Sequence, residues 1–125
     1  MKRVRESVVA AFGGAVVERL FVYGSLAPGQ PNEHMLAAIQ GVWEPAAVTG
    51  RLRPEGWGAD LGYPGLDLDE RGNEVEGLLF TSEDLSDHWA VLDEFEGEAY
   101  ERVLAKVKLK DGRTVDAFVY TLSGR

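Results

Sequence analysis

The segment from residue 103 to residue 120 reads VLAKVKLKDGRTVDAFVY and contains the clearest structural pattern in the chain. Its first half alternates apolar residues with Lys106 and Lys108, and its second half, residues 115–120, is largely apolar again. Asp111-Gly112 lies between the two halves and is typical of a two-residue β-turn. The segment therefore predicts an antiparallel hairpin whose strands belong to a larger sheet.

Further strand patterns lie upstream of this hairpin. Residues 20–23 form a short apolar run closed by a glycine, and residues 42–53 are typical of a strand with a bend. Residues 66–69 alternate Leu with Asp, and residues 75–80 become apolar again after a turn at residues 71–73. These last two segments predict a second hairpin.

Short helices are expected between the strands. Pro31 can begin one that runs to Ile39. Thr81-Ser82-Glu83-Asp84 resembles a capping box and predicts a helix that runs to about residues 95–96. Residues 1–18 suggest an N-terminal helical extension packed on the domain. Because strands dominate, we predict an α+β fold in which an antiparallel sheet closes into a β-barrel with two to three flanking helices.

Length and composition exclude several classes of protein. A chain of 125 residues fits a single domain, residues 1–125, with one core. The net charge of -8 opposes binding to nucleic acids and to anionic membranes, so neither is an expected partner. The lack of Cys excludes disulfides, thiolate catalysis and cysteine zinc sites, and two His argue against a histidine-rich metal site. Metal-free chemistry or simple binding remains.

The N-terminus has some features of an export signal. Three basic residues within positions 2–5 precede an uncharged, largely apolar stretch at residues 7–17. However, Glu6 interrupts the junction, two glycines break the apolar run, and no Ala-x-Ala cleavage site follows. We therefore expect a cytoplasmic protein, and no segment approaches the length of a membrane span.

The helix predicted after residue 83 carries a carboxylate on its apolar face. At 100° per residue, one apolar stripe contains Leu85, Trp89, Leu92 and Phe95. Glu96 falls at about 20° from Leu85, inside this stripe. A buried, unpaired carboxylate acquires a raised pKa or dedicated hydrogen-bond donors, and both suit a general base. In the alternative interpretation the helix ends at Phe95, ahead of a glycine, and Glu96 is simply exposed.

The loop after the first predicted strand has a complementary property. Tyr23-Gly24-Ser25-Leu26 leaves the strand through a glycine, so successive amide N–H groups can converge on an anion. The loop is therefore either an oxyanion hole or an ordinary turn. It is not a phosphate loop, because no Gly-Lys-Ser/Thr follows. Ser25 also lacks the Gly-x-Ser-x-Gly context of a hydrolase nucleophile.

Five short motifs follow one another between residue 20 and about residue 121. They are Tyr23-Gly24-Ser25-Leu26, Gly29-Gln30-Pro31-Asn32, Glu76-Gly77-Leu78-Leu79-Phe80, Leu92-Asp93-Glu94-Phe95-Glu96-Gly97 with Tyr100 and Arg102, and Ala117-Phe118-Val119-Tyr120. In this order they resemble the gamma-glutamylcyclotransferase-like superfamily. The chain is most similar to the small bacterial members and to gamma-glutamylamine cyclotransferases.

The resemblance implies a fold, an activity and a set of site residues. The fold is a mixed, mostly antiparallel β-barrel with flanking helices. The activity is cyclisation of a γ-glutamyl group to 5-oxoproline with release of an amine or amino acid, without metal or cofactor. Glu96 is implied as the catalytic general acid and base, and it is also the residue that the helical pattern indicates. The implied substrate-binding residues are Tyr23, Gly24, Ser25, Leu26 and Tyr100.

Some features leave alternatives open. Ala27-Pro28 stand where family members often carry Lys or Arg, which leaves the γ-glutamyl substrate undefined. Tyr100 and Arg102 can instead brace the start of a strand, and the three Trp are expected in the core or in a pocket wall. A non-catalytic module that binds γ-glutamyl or amino-acid metabolites is the main alternative function. A hydrolase or acyltransferase, in which water or another amine attacks, is the third.

Overall fold

The structure is a computed structural model, and residues 18–24, 26, 29–30, 32–57 and 62–123 of it are described. This described part contains six β-strands and two short α-helices. The strands are β1 (Glu18–Val22), β2 (Val42–Arg53), β3 (Gly65–Leu68), β4 (Asn73–Ser82), β5 (Tyr100–Leu109) and β6 (Thr114–Leu122). The helices are α1 (His34–Ala37) and α2 (Trp89–Glu96), and a short 3-10 helix, Leu85–Asp87, precedes α2.

Five of the strands close into a barrel. Their order is β2, β4, β1, β6 and β5, and β5 pairs back onto β2 at Ala46 and Ala47. β1 and β6 run parallel, whereas the other strand pairs in the described ranges are antiparallel. β3 is an additional strand on β2. The predicted α+β fold with a mixed, mostly antiparallel barrel is therefore confirmed.

The predicted hairpin at residues 103–120 is confirmed, with one correction to its loop. β5 and β6 pair along their length, for example at Val103 and Val119. The Leu109 N–H donates to the Arg113 carbonyl at 2.8 Å, so three residues rather than two form the loop. Gly112 has a φ of +93°, which is the left-handed conformation that ends such a loop.

The second predicted hairpin has correct strands but the wrong pairing. β3 and β4 are both present, yet each pairs with β2, which lies between them. The turn after β3 crosses β2 at Gly50, where a Cβ added to Gly72 would lie 2.3 Å from the Gly50 carbonyl oxygen. The missing side chains at these two positions permit the crossing, since any larger residue at Gly72 would collide with backbone.

Two ion pairs hold β3 on β2. The Arg51 guanidinium donates to Asp69 at 2.8 Å, and the Arg53 guanidinium donates to Asp67 at 3.0 Å. All four side chains are partly exposed. We call these four residues the charge ladder. It helps to set the pairing of a strand that is only four residues long.

The helix predicted at residues 83–96 is interrupted. Leu85–Asp87 is a 3-10 helix, and α2 starts only after His88, whose φ of -118° breaks the helical geometry. Ser82 does not cap α2, because its hydroxyl accepts the Asp84 N–H at 2.9 Å instead. Of the predicted apolar stripe, Leu85, Trp89 and Leu92 are buried, whereas Phe95 is only partly buried and packs against the same cluster.

Parts of two predicted helices lie outside the described residues. Of the predicted N-terminal extension, residues 1–17 are not described, and Glu18 begins β1 instead of ending a helix. Pro31 is also outside the described residues, and α1 covers four residues of the predicted helix. No helix in the described ranges has the length and apolar character that crossing a membrane requires.

Two apolar clusters pack on opposite faces of the barrel wall. The interior cluster draws on all six strands and contains Phe21, Ala46, Val48, Leu66, Val75, Leu79, Val107, Leu109, Ala117 and Val119. The outer cluster joins β1, β4 and β6 to the helices and includes Leu20, Leu36, Phe80, Leu85, Trp89, Leu92 and Phe118. Trp89 and Leu92 anchor α2 in the outer cluster, so the last turn of this helix is held against the barrel.

Candidate active site

Glu96 is the last residue of α2 and is buried. It is 8% exposed, so the alternative of a frayed, exposed glutamate is wrong. Gly97 ends the helix immediately afterwards with a φ of +78°, and its N–H donates to the Asp93 carbonyl at 3.0 Å. This glycine turns the chain towards β5 without unwinding the turn that holds Glu96.

Glu96 faces a cavity of about 50 Å³ at one end of the barrel. The described lining residues are Leu20, Phe21, Val22, Tyr23, Gly24, Leu26, Trp57, Tyr63, Pro64, Glu96, Tyr100 and Tyr120. All four tyrosines of the chain are among them, and Glu96 is the one charged residue of this set. The cavity is therefore an aromatic chamber with a single described ionisable carboxyl group.

Burial gives this carboxyl group an unusual acidity. Removal from water raises the pKa of Glu96 from 4.5 to about 7, and the negative charge of Asp93, one helical turn earlier, raises it further in the same direction. At neutral pH the group is present in both protonation states. Glu96 can therefore accept a proton and return it, which is what a general acid and base requires.

Asp93, only three residues before Glu96, has opposite surroundings. Its carboxylate accepts two hydrogen bonds from the Arg102 guanidinium, at 2.9 and 3.1 Å, and one from the Tyr120 hydroxyl at 2.7 Å. The guanidinium also lies 4.3 Å from the centroid of the Trp89 ring. Arg102 thus braces the start of β5 against α2, as one interpretation of the sequence proposed.

Tyr23 holds the cavity together at the end of β1. Its hydroxyl donates to the Tyr120 carbonyl at 2.7 Å and accepts the Leu66 N–H at 3.1 Å. Burial raises the pKa of the Tyr23 phenol well above its usual range, so the group stays neutral. A single side chain therefore links β1, β3 and β6 beside the cavity.

The loop after β1 forms another part of the wall. Gly24 and Leu26 line the cavity, whereas Ser25 lies outside the described residues. A Cβ added to Gly24 would meet no atom of the described residues within 4 Å, so on the described side the backbone borders open space. Tyr100 lines the same cavity. The structure therefore brings together Tyr23, Gly24, Leu26, Tyr100 and Glu96.

Seven of the twelve described lining residues were not predicted as catalytic or substrate-binding residues, and Trp57 was expected only in the core or in a pocket wall. Trp57 and Tyr63 lie in residues 54–65, which the sequence shows only as a loop rich in Gly and Pro, and Tyr120 belongs to the predicted hairpin. The Trp57 indole N–H donates to the Glu96 carbonyl at 2.8 Å. Two aromatic residues in a loop otherwise rich in Gly were the available signal, since such side chains rarely stay exposed.

Comparison with known families identifies the class of protein. The model of the family described as Gamma-glutamyl cyclotransferase, AIG2-like, matches residues 20–125. The chain therefore belongs to this family. The match begins in β1 and includes every element that lines the cavity.

Solved structures share this fold. An AIG2-like protein from Mus musculus is 28% identical, with a TM-score of 0.66 over 87% of this chain and 79% of the mouse chain. A protein from Arabidopsis thaliana is 26% identical, with a TM-score of 0.60 over 86% of this chain and 70% of its own. YkqA from Bacillus subtilis, at 24% identity and a TM-score of 0.66, is similar in fold, and the chain spans only 36% of its length. No curated protein sequence matches the chain significantly.

Proposed function

We propose that this protein is a cofactor-independent γ-glutamylcyclotransferase-type enzyme, which converts a γ-glutamyl group to 5-oxoproline and releases an amine or amino acid. The observation that supports this most is Glu96, a buried carboxyl group with a pKa of about 7 that faces a small cavity. Membership of the family supplies the substrate class. In this proposal the domain covers residues 1–125 and the location is the cytoplasm.

The first step makes the nucleophile. The Glu96 carboxylate accepts a proton from the α-ammonium group of the substrate, and the freed amine attacks the γ-carbonyl carbon of the same molecule. A five-membered ring forms with a tetrahedral carbon. Because both reacting groups belong to one bound molecule, the attack gains the large rate advantage of an intramolecular reaction.

The second step expels the leaving group. Backbone N–H groups between Gly24 and Leu26 would stabilise the oxyanion or the substrate carboxylate. Glu96 then returns its proton to the leaving nitrogen and the C–N bond breaks. The second proton, which the ring nitrogen still carries after the attack, passes to the released amine, so the products are 5-oxoproline and an ammonium group. The glutamate is regenerated at the end of the cycle, so no co-reactant is consumed.

The uncharged wall of the cavity supports this use of Glu96. Burial raises the pKa values of Tyr23 and Tyr120 far above neutrality, so neither competes with Glu96 for a proton at physiological pH. Tyr23 and Tyr100 are proposed as substrate-binding residues because both line the cavity beside Glu96.

The decisive experiment replaces the carboxylate by an isosteric amide. In Glu96→Gln we expect the release of 5-oxoproline to fall by at least about 100-fold, the usual scale for removal of a general base. The assay incubates the protein with a panel of γ-glutamyl compounds and detects the ring product by mass spectrometry. The matched control is Glu94→Gln, since Glu94 is an exposed residue of the same helix.

Each product pattern identifies a different function. Unchanged 5-oxoproline release in Glu96→Gln would contradict the assignment of the base. Open-chain glutamate in place of the ring would identify a hydrolase. Tight binding of γ-glutamyl compounds without any product would identify the binding module that the sequence left open.

A further inference from the structure

Trp57 occupies the mouth of the cavity. Among the described lining residues it alone is exposed, at 37%, whereas Glu96 and the β1 residues behind it are buried. The indole therefore borders both the cavity and the solvent. A ligand that extends from the cavity towards the solvent on this side contacts the ring.

The indole is also held in a fixed orientation. Its N–H donates to the Glu96 carbonyl at 2.8 Å. It makes edge-on contacts with the Phe95 and Tyr100 rings, whose centroids lie 5.5 and 6.2 Å away at angles of 87° and 83°. A side chain that is already ordered loses little conformational entropy when a ligand packs against it, so its contact area contributes more to affinity.

The size of the cavity determines what reaches Trp57. A space of about 50 Å³ holds a few water molecules or a compact head group. With the glutamyl part beside Glu96 and Gly24, the rest of a γ-glutamyl compound must project through the mouth. Its leaving amine therefore lies next to the indole.

The described side chains around the mouth are aromatic. Tyr63 and Tyr100 line the cavity together with Trp57, and the Tyr63 hydroxyl is turned to Gln30, to which it donates at 2.9 Å. Residues 54–65 contain Glu55 and Asp60 but no Lys or Arg, so this segment offers no cation to a charged leaving group. Flat apolar groups pack favourably on such a surface in stacked or edge-on geometries.

We infer that Trp57 is a specificity-determining residue that selects γ-glutamyl compounds whose leaving amine carries a flat, aromatic side chain. This inference rests on the proposed function, because it assumes that the glutamyl group binds beside Glu96. It concerns the part of the substrate that the reaction itself does not change. The expected preference is about tenfold in kcat/KM for an aromatic over a small leaving group, the scale of one favourable aromatic contact with its buried area.

The test uses two pairs of compounds that differ only in the ring. The first pair is γ-glutamyl-phenylalanine and γ-glutamyl-alanine, and the second is γ-glutamyl-phenethylamide and γ-glutamyl-ethylamide. In the wild-type protein the ring-bearing member of each pair should have the higher kcat/KM. Trp57→Leu should bring both ratios close to one, chiefly through KM, and Trp57→Phe should retain part of the preference.

The control is Trp43→Phe. Trp43 packs on Phe80 with ring centroids 4.6 Å apart and is not among the described residues that line the cavity, so its replacement should leave the ratios unchanged. Ratios that stay the same in Trp57→Leu would overturn the inference. An equal fall in kcat/KM for both members of a pair would also overturn the inference, because it would mean that the indole only positions Glu96.

Calorimetry separates this inference from the proposed function. If the wild-type protein turns over none of these compounds, the proposed cyclisation fails, but binding can still be measured. Dissociation constants of Glu96→Gln for the same pairs should show the ring preference, and adding Trp57→Leu should remove it. No difference between the members of a pair in Kd would overturn the role of Trp57 irrespective of turnover.

Discussion

The charge ladder and the cavity shift the pKa of a carboxyl group in opposite directions. In the ladder, the Asp69 carboxylate accepts a hydrogen bond from Arg51, which lowers its pKa, and both side chains remain accessible to water. In the cavity, Glu96 is removed from water and its pKa rises to about 7. The first carboxylate helps to hold a short strand, whereas the second is available for proton transfer near neutral pH.

The difference lies in the partners rather than in the residue type. A surface carboxylate beside a cation contributes modestly to stability and is already ionised at neutral pH. A buried carboxylate without such a cation costs free energy when it ionises, and the protein retains it despite this cost. The cavity is therefore a region where stability is lower than an apolar residue would allow, and this is common at functional sites.

The largest expected effect is on the pH dependence of stability. The folded-state pKa of Glu96 lies above its unfolded value, so its contribution to stability is complete below pH 4.5 and is lost as the pH rises to above 7. The corresponding change is about 3 kcal/mol. We therefore expect the free energy of unfolding of Glu96→Gln, measured in urea, to rise relative to that of wild type by about 3 kcal/mol between pH 4.5 and pH 8.

Asp69→Asn is the matched control for this measurement. The lowered pKa of Asp69 gives the opposite sign, because its contribution is present above the unfolded pKa and is lost as the pH falls through the folded one. The difference in free energy of unfolding between Asp69→Asn and wild type should therefore stay constant between pH 5 and pH 8. A pH-independent difference between Glu96→Gln and wild type would contradict the burial of an ionisable Glu96.

Substitution of one glycine in each region tests how tightly the two regions are packed. A Cβ on Gly72, next to the ladder, would lie 2.3 Å from a backbone oxygen, whereas a Cβ on Gly24 meets no atom of the residues that the structure describes within 4 Å. Gly72→Ala should therefore destabilise the protein by about 1–3 kcal/mol, the usual cost of overpacking, and leave KM unchanged. Gly24→Ala should leave stability nearly unchanged and lower kcat/KM by about tenfold, because the methyl group displaces the substrate.

Denaturant unfolding and steady-state kinetics on both alanine variants check this pair. The expected pattern is a loss of stability in one variant and a loss of activity in the other. If Gly24→Ala retained full kcat/KM, the loop after β1 would not contact the substrate. If Gly72→Ala were as stable as wild type, the crossing of β2 would be looser than the structure indicates.

The smallest expected effect comes from Asp93. Its negative charge raises the pKa of Glu96, but burial is the larger cause. The pH profile of kcat/KM should rise through about pH 7 as Glu96 loses its proton, and Asp93→Asn should move the midpoint to lower pH without bringing it to 4.5. A midpoint that does not move would show that the Arg102 pair neutralises the charge of Asp93 as seen from Glu96.

Local patterns predicted the strands better than their pairing. The β5–β6 hairpin was predictable because the two strands adjoin in sequence and alternation specifies their register. The pairing of β3 with β2 was not predictable, because a long loop separates the two strands in the sequence. The interruption at His88 was missed as well, since the capping pattern at Ser82 is also compatible with a local turn.

Only the part of the candidate site that lies in a periodic segment was predictable from the sequence. Glu96 lies on a helix whose apolar stripe has a regular period, so a carboxylate inside the stripe stands out in the sequence. The wall contributed by Trp57 and Tyr63 has no period, because both residues lie in a loop. Their position depends on tertiary hydrogen bonds to Glu96 and Gln30, which no local pattern reveals.

The hydrogen bonds of Tyr23 also have a consequence for folding. One phenolic oxygen joins residues that are 43 and 97 positions away along the chain. Loops of this length close slowly because the entropic cost of bringing such distant segments together precedes any gain from their contact. We therefore expect the entrance of the cavity to acquire its final shape only after the last strand has docked, so that competence to bind ligand appears at the end of folding.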